Sequence, residues 1–168
     1  MDAAALLAFA MRCAPLIDPS TVQALVAVES AANPNAIGVV AGALERQPKT
    51  FAEALATAQE LEHAGWNFSL GLAQINVKNV RRLGLTLEEA LKPCTNLKAM
   101  QTLLCDCYER ASEHQANAQV ALRAALSCYY SGNFTSGVRD GYVRRVVSFA
   151  NPPSALAPLT PPPRKATP

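Results

Sequence analysis

The chain has 168 residues, half of them apolar and 17% charged, which suffices for one domain with a hydrophobic core and excludes wholesale disorder. Fifteen basic and thirteen acidic residues leave a net charge of +2, too balanced to draw the chain onto nucleic acid by charge alone. The longest uninterrupted apolar run, Ala3 to Met11, falls well short of the roughly 20 residues that span a bilayer, so no transmembrane segment is expected.

The opening residues, MDAAALLAFAMRCAP, carry an apolar stretch without a basic leader and make a poor secretory signal, so export would rest on a segment removed earlier or on another cue. Residues 3–13 read as a first helix. Asp18-Pro19 is a cap followed by proline at the first helical position, which starts a second helix running to about Ala32, ahead of Asn33-Pro34. Residues 36–47 (AIGVVAGALERQ) have two glycines and a β-compatible start and predict a small hairpin or irregular β-element. Thr50-x-x-Glu53 and Thr86-x-x-Glu89 have the spacing of capping boxes and open helices at about 51–64 and 87–92. Leu70 to Val77 reads as a short helix or turn. Asn96 opens a helix to about Ser112, and two more cover about 116–131 and 138–150. The last eighteen residues, from Asn151, hold seven of the twelve prolines and predict an extended, partly disordered tail. The expected fold class is α+β, mainly α, in one domain over residues 1–150, followed by the tail at 151–168.

Five cysteines, Cys13, Cys94, Cys105, Cys107 and Cys128, are many for a reduced cytosolic protein and suit an oxidising compartment. Two bridges and one spare thiol is the simplest reading. Cys105 and Cys107 lie about 200° apart on a helix and should not pair with each other. Leu97, Met100, Leu104, Cys107 and Ala111 form one apolar stripe, which turns Cys107 inward and leaves Cys105 as the odd thiol. Cys13, Cys94, Cys107 and Cys128 are therefore the disulfide candidates, with their pairing open. Five unpaired core thiols is the plainer alternative. With only two histidines and no CxxC pair, no metal site is expected, and no cofactor is implied.

One residue breaks the helical pattern. On the second helix the inward stripe runs Val22, Leu25, Val26 and then, at the next i+3 step, Glu29, a carboxyl group where a hydrophobe is due. Glu29 also falls in the helix's last turn, where the negative end of the macrodipole disfavours another negative charge. Desolvation and dipole both raise its pKa, and a carboxylic acid kept protonated near neutrality is what general-acid catalysis needs.

Three motifs follow in order. They are Glu29-Ser30 leading into Asn33-Pro34-x-Ala36-Ile37, then Ser69-x-Gly71-Leu72-x-Gln74-Ile75-Asn76, then Ala125-Leu126-Ser127-Cys128-Tyr129-Tyr130-x-Gly132-Asn133. The set resembles the lytic transglycosylases with a goose-lysozyme-like catalytic domain. It is most similar to their branch that accompanies type IV secretion systems, which shares the Ala-Ile-Gly-Val-Val stretch, the run at Gly65–Gly71 and the Pro93-Cys94-Thr95-Asn96-Leu97 turn. The resemblance covers about residues 12–149. It implies a lysozyme-like helical domain with Glu29 as the catalytic acid/base. Gln74 and Tyr129 would hold the sugar, Ser69 and Ala36 would join them in binding substrate, and Tyr142 would be the family's late aromatic. Gln74 has the donor and acceptor that suit an N-acetyl group, and Tyr129 continues the Leu122, Ala125, Leu126 stripe, so its hydroxyl needs a partner. Ser30 reads as a local helix-end hydrogen bonder. The chain departs from the family at Ala73 (usually Met), Tyr130 (commonly Asn) and Gly38 (often Ser), which puts the shape of the groove in question.

Ordinary glycosidases need two carboxyl groups. Asp18 would lie about 16 Å from Glu29 along the helix, and Asp106 and Asp140 have no pattern support. Glu45, in the expected hairpin, is the one rival, although Arg46 or Lys49 would pair it on the surface. With a single carboxyl group the resemblance implies non-hydrolytic cleavage of peptidoglycan strands to a 1,6-anhydro product in the periplasm, beside the subunits of a secretion channel. The alternatives are a hydrolytic muramidase using Glu29 and Glu45, and a non-catalytic wall-binding scaffold whose proline-rich tail, with Arg164 and Lys165, docks on channel subunits.

Overall fold

The computed structural model describes residues 1–150; the tail expected over 151–168 lies outside them. The element order is α1 (Ala3–Cys13), α2 (Pro19–Ser30), β1 (Ile37–Val39), α3 (Phe51–His63), β2 (Phe68–Leu70), β3 (Ile75–Asn76), α4 (Val77–Arg82), α5 (Leu87–Leu91), α6 (Pro93–Ser112), α7 (Ala118–Ser131), α8 (Ser136–Arg139) and α9 (Tyr142–Ala150). The domain is mainly helical with one small antiparallel sheet, the α+β class expected.

Local chemistry sets most helix starts. Asp18 accepts from the Ser20 amide with Pro19 at the first position of α2, and Asn117 caps α7 by accepting from Gln119 and Val120. Thr86 and Glu89 form the full reciprocal box at α5. At α3 the box is only half made. Thr50 accepts from the Glu53 amide, but the Glu53 carboxylate turns to the Lys49 amide and to Arg46.

The sheet corrects the expected local hairpin. β1 pairs not with residues 40–47 but with β2, in the register Ile37–Leu70, Gly38–Ser69, Val39–Phe68. β2 then pairs with β3. Residues 40–47 are exposed except for the partly buried Leu44, whereas Phe68 and Leu70, which follow α3 in the chain, are fully buried; burial of apolar area decides the pairing. The segment read as a helix or turn at 70–77 is the end of β2, a tight turn and β3. The last expected helix is two pieces, α8 and α9, broken at Gly141, whose φ is +75°.

The core lies between α2, α6, α7 and α9, with Val22, Leu25, Val26, Leu97, Met100 and Val146 at or near zero exposure. Cys13 is bonded to Cys94 and Cys107 to Cys128, leaving Cys105 as the free thiol. The first bridge ties α1 to the start of α6 across 81 residues, a constraint worth about 4 kcal/mol in chain entropy.

Candidate active site

Glu29 sits in the last turn of α2, one residue before the helix ends. The three hydrophobes that share its stripe are fully buried, and they hold the α2 face against the core so that Glu29 emerges half-buried in a groove of about 530 Å³. The groove runs between the sheet and the end of α7, with Gly38, Val39, Ser69, Gln74, Tyr129 and Tyr130 in its walls. Among the described residues lining it, Glu29 is the only carboxylate.

Burial is the largest influence on this group and pushes the Glu29 carboxyl up to about 7. A hydrogen bond from Tyr142 and the positive charge of Arg145 act in the opposite direction and do not cancel it. The Tyr142 hydroxyl donates to Glu29 Oε1 at 2.5 Å. With Oε1 occupied as acceptor, Oε2 is left to carry the proton when the group is neutral. Burial and the neighbouring carboxylate hold the Tyr142 phenol far above its ordinary pKa, so it stays a donor whichever state Glu29 is in.

The turn after β2 builds the opposite wall. Gly71 has φ +74°, and a Cβ there would stand 2.6 Å from Asn96 Nδ2, so only glycine fits. Asn96 is fully buried and satisfies the turn on three sides: its amide donates to the Leu70 and Ala90 carbonyls and its oxygen accepts from the Ala73 amide. Ser30 donates to the Leu72 carbonyl at 2.7 Å, which pins the end of α2 to the same turn. Gln74, at φ +47°, donates through Nε2 to the carbonyls of Ala36 and Gly71. Since both partners are acceptors, the amide orientation is fixed and Oε1 is left without a donor among the described residues. A Cβ at position 38 would lie 2.6 Å from that oxygen, so Gly38 is what keeps it uncovered. Tyr129 donates to the Ala73 carbonyl at 2.6 Å, and burial raises its phenol well above the usual value.

The expected site residues are thus drawn to one place, with two differences. Ala36 contributes its carbonyl rather than its side chain, which is buried outside the groove. Tyr142, expected among the substrate-binding residues, is only 2% exposed and stands behind Glu29 rather than in the groove wall, because α9 packs against α2 and the ring is needed in the core. Glu45 does not line the groove: it lies on another, exposed hollow with Leu44, Arg46 and Glu53. Arg46 pairs there with Glu53 at 3.1 Å, not with Glu45. Sequence reasoning missed the role of Asn96, which starts no helix but lies inside the first turn of α6. The signal was available, since a helix already opened by Pro93 needs no second cap. Asn76, Lys78 and Asn79 also line the groove and carried no motif of their own beyond Asn76. No cluster of three or more His, Cys, Asp or Glu among the described residues is placed to hold a metal, and no described helix is long and apolar enough to cross a membrane.

Comparison with known proteins adds a family to this geometry. Residues 7–142 match the transglycosylase SLT domain. The type IV secretion system protein virB1 of Brucella suis biovar 1 (strain 1330) is 49% identical over 162 residues, covering 91% of this chain and 68% of the relative. Its counterpart in Brucella abortus biovar 1 (strain 9-941) is 50% identical over 151 residues, covering 86% and 63%. Protein virB1 of Agrobacterium fabrum (strain C58) is 36% identical over 152 residues, covering 90% and 61%. The chain spans about two thirds of the length of the relatives it matches. No solved structure is significantly similar to it.

Proposed function

Because the chain belongs to the transglycosylase SLT domain family, we propose that it is a lytic transglycosylase that opens peptidoglycan for a type IV secretion system, with Glu29 as its acid and then its base. The observation that carries this reading is a single half-buried carboxyl group, raised to about 7, in a groove whose described lining has no second carboxylate. The neutral Glu29 gives its proton to the oxygen between N-acetylmuramic acid and N-acetylglucosamine, and the bond from C1 to that oxygen breaks. The N-acetyl carbonyl of the substrate shields the cationic C1. Glu29, now a carboxylate held by Tyr142, takes the proton of the C6 hydroxyl, and O6 closes on C1. Water is not consumed, and Glu29 ends protonated as it began. Gln74 Oε1, uncovered beside Gly38, suits the N–H of an N-acetyl group. In this reading the enzyme works in the periplasm on glycan strands and beside secretion-channel subunits, a reading that the relatives' names support.

The test is product analysis on purified sacculi by mass spectrometry. The expected products carry 1,6-anhydro ends and are made by the wild type but not by Glu29→Gln. Products one water heavier would mean hydrolysis instead; near wild-type release by the variant would remove Glu29 from its role. Binding to sacculi without soluble product would favour the scaffold alternative.

A further inference from the structure

The placement of Tyr130 is unusual for an aromatic ring. The residue is 46% exposed and lines the groove. Its ring is stacked on that of Tyr142, with centroids 4.6 Å apart and planes 19° from parallel. Its hydroxyl has no hydrogen-bond partner among the described residues. Tyr142 needs some cover on the groove side, because its own hydroxyl must stay on Glu29. Cover alone would be met by any aliphatic side chain, and an aliphatic one would leave less aromatic surface in water. What the stack adds is a rigid, flat face held in the groove at the acid. Such a face offers π-density to the axial C–H groups of a pyranose ring, and its rigidity lowers the entropy lost on binding.

We propose that Tyr130 is a sugar-binding platform, stacked under one pyranose ring of the glycan strand next to the bond that Glu29 protonates. Tyr142 supports it from below, so that the residue that orients the acid also sets the height of the platform. A ring docked on Tyr130 covers Glu29 from water and keeps the acid dry when the proton is transferred. Other polar groups within the lining, Ser69, Gln74 and Asn79, offer hydrogen bonds to hydroxyl and N-acetyl groups, and Tyr130 supplies the apolar contact they lack. The proposal rests on the lytic transglycosylase reading of the same groove.

The experiment is steady-state kinetics of the full chain on glycan strands freed of their stem peptides, for wild type, Tyr130→Ala, Tyr130→Phe and Tyr130→Asn. Thermal melting runs alongside to verify folding. The platform predicts KM raised about five- to tenfold in the alanine and asparagine variants, with kcat within about threefold and the phenylalanine variant near wild type. A lowered kcat with unchanged KM and a displaced pH profile would mean that Tyr130 only steadies Tyr142, and would overturn the proposal. Unchanged kinetics in all three would overturn it too. If an alanine variant fails to fold, the comparison of Phe with Asn carries the test by itself: equal KM in the two rejects the platform. The outcome is separate from that of the reaction assignment. An inactive Glu29→Gln with anhydro products from the wild type, but a Tyr130→Ala of normal KM, leaves the activity standing and removes the platform alone.

Discussion

Two of the carboxylate-lined hollows among the described residues show opposite chemistry. In the groove, Glu29 has lost most of its water, meets a hydroxyl donor and a distant guanidinium, and rises to about 7. In the hollow by α3, Glu53 is exposed, accepts from Arg46 and the Lys49 amide, and is held below the ordinary carboxylate range. The first can hold a proton near neutrality; the second is stabilised as an anion. The difference does not lie in the residue type but in solvent. At the groove the core hydrophobes of α2 bring the carboxyl inward, and at the hollow nothing does.

The largest test of the contrast is Glu29→Gln. It should lower the rate of anhydro-product release by about 10²–10⁴-fold, the usual worth of a general acid, while circular dichroism stays that of the wild type. A loss under tenfold would mean that proton transfer is supplied elsewhere. Next in size is Asn96→Ala. It leaves the Ala73 amide and the Leu70 and Ala90 carbonyls without their partner in a buried site, so denaturant unfolding should show a loss of about 3 kcal/mol. The turn that carries Gln74 should slacken with it, and activity should fall even below the melting transition.

The pH dependence of stability sharpens the same point. The folded-state pKa of Glu29, about 7, is above its unfolded value near 4.5. The folded chain thus binds the proton more tightly, and the contribution of this group is full below about 4.5 and lost as pH rises through 7. Removing the charge by Glu29→Gln should therefore leave stability unchanged at pH 4. At pH 8 it should add about 2 kcal/mol, less than the roughly 3 of a fully dry site because the groove leaves the carboxyl some contact with solvent. Chemical denaturation at both pH values measures it; an equal effect at the two would refute the raised pKa. For the reaction, kcat/KM should fall as pH rises through about 7, where the acid loses its proton. Tyr142→Phe removes the hydroxyl that favours the carboxylate, so this basic limb should move to higher pH, with a rate loss of about tenfold or less.

Part of the groove side was legible in the sequence. Glu29 betrayed itself by interrupting a hydrophobic stripe, whereas residues 70–77 read only as a short helix or turn, and the need for glycine at position 71 shows in its φ and its closeness to Asn96. The ends of α2, α3 and α5 followed from their caps. What was not legible depends on contacts across distance. β1 has too few residues to name its partner, and that partner, β2, lies beyond the whole of α3. Tyr142 as the hydrogen-bond donor to Glu29 spans 113 residues, and no local pattern tells a core tyrosine from one that holds an acid. Asn96 read as a cap because Asn at a helix start nearly always is one; only its burial shows the other role. The cysteine stripe on α6 told Cys107 from Cys105, but pairing required the packing of α6 on α7.

The smallest expected effect falls on the other hollow, and it carries the choice between reaction types. Glu45 is exposed and absent from the groove lining, and the guanidinium beside it is taken by Glu53. A hydrolase of the two-carboxylate kind needs its second group about 5–9.5 Å from the first with the sugar between them, which means inside the groove. Glu45→Gln should therefore leave kcat and KM within about twofold of wild type, the ordinary range of an exposed substitution. Glu53→Gln, which removes a surface pair and a cap contact, should do the same to activity while making the N-terminus of α3 less firmly held. The measurement is the rate on sacculi with the product mass recorded at each point. A loss of tenfold or more in Glu45→Gln, with the hydrolysed product declining in step, would bring the two hollows together in one catalytic unit. The contrast between a dry acid and a wet anion would then no longer separate site from surface.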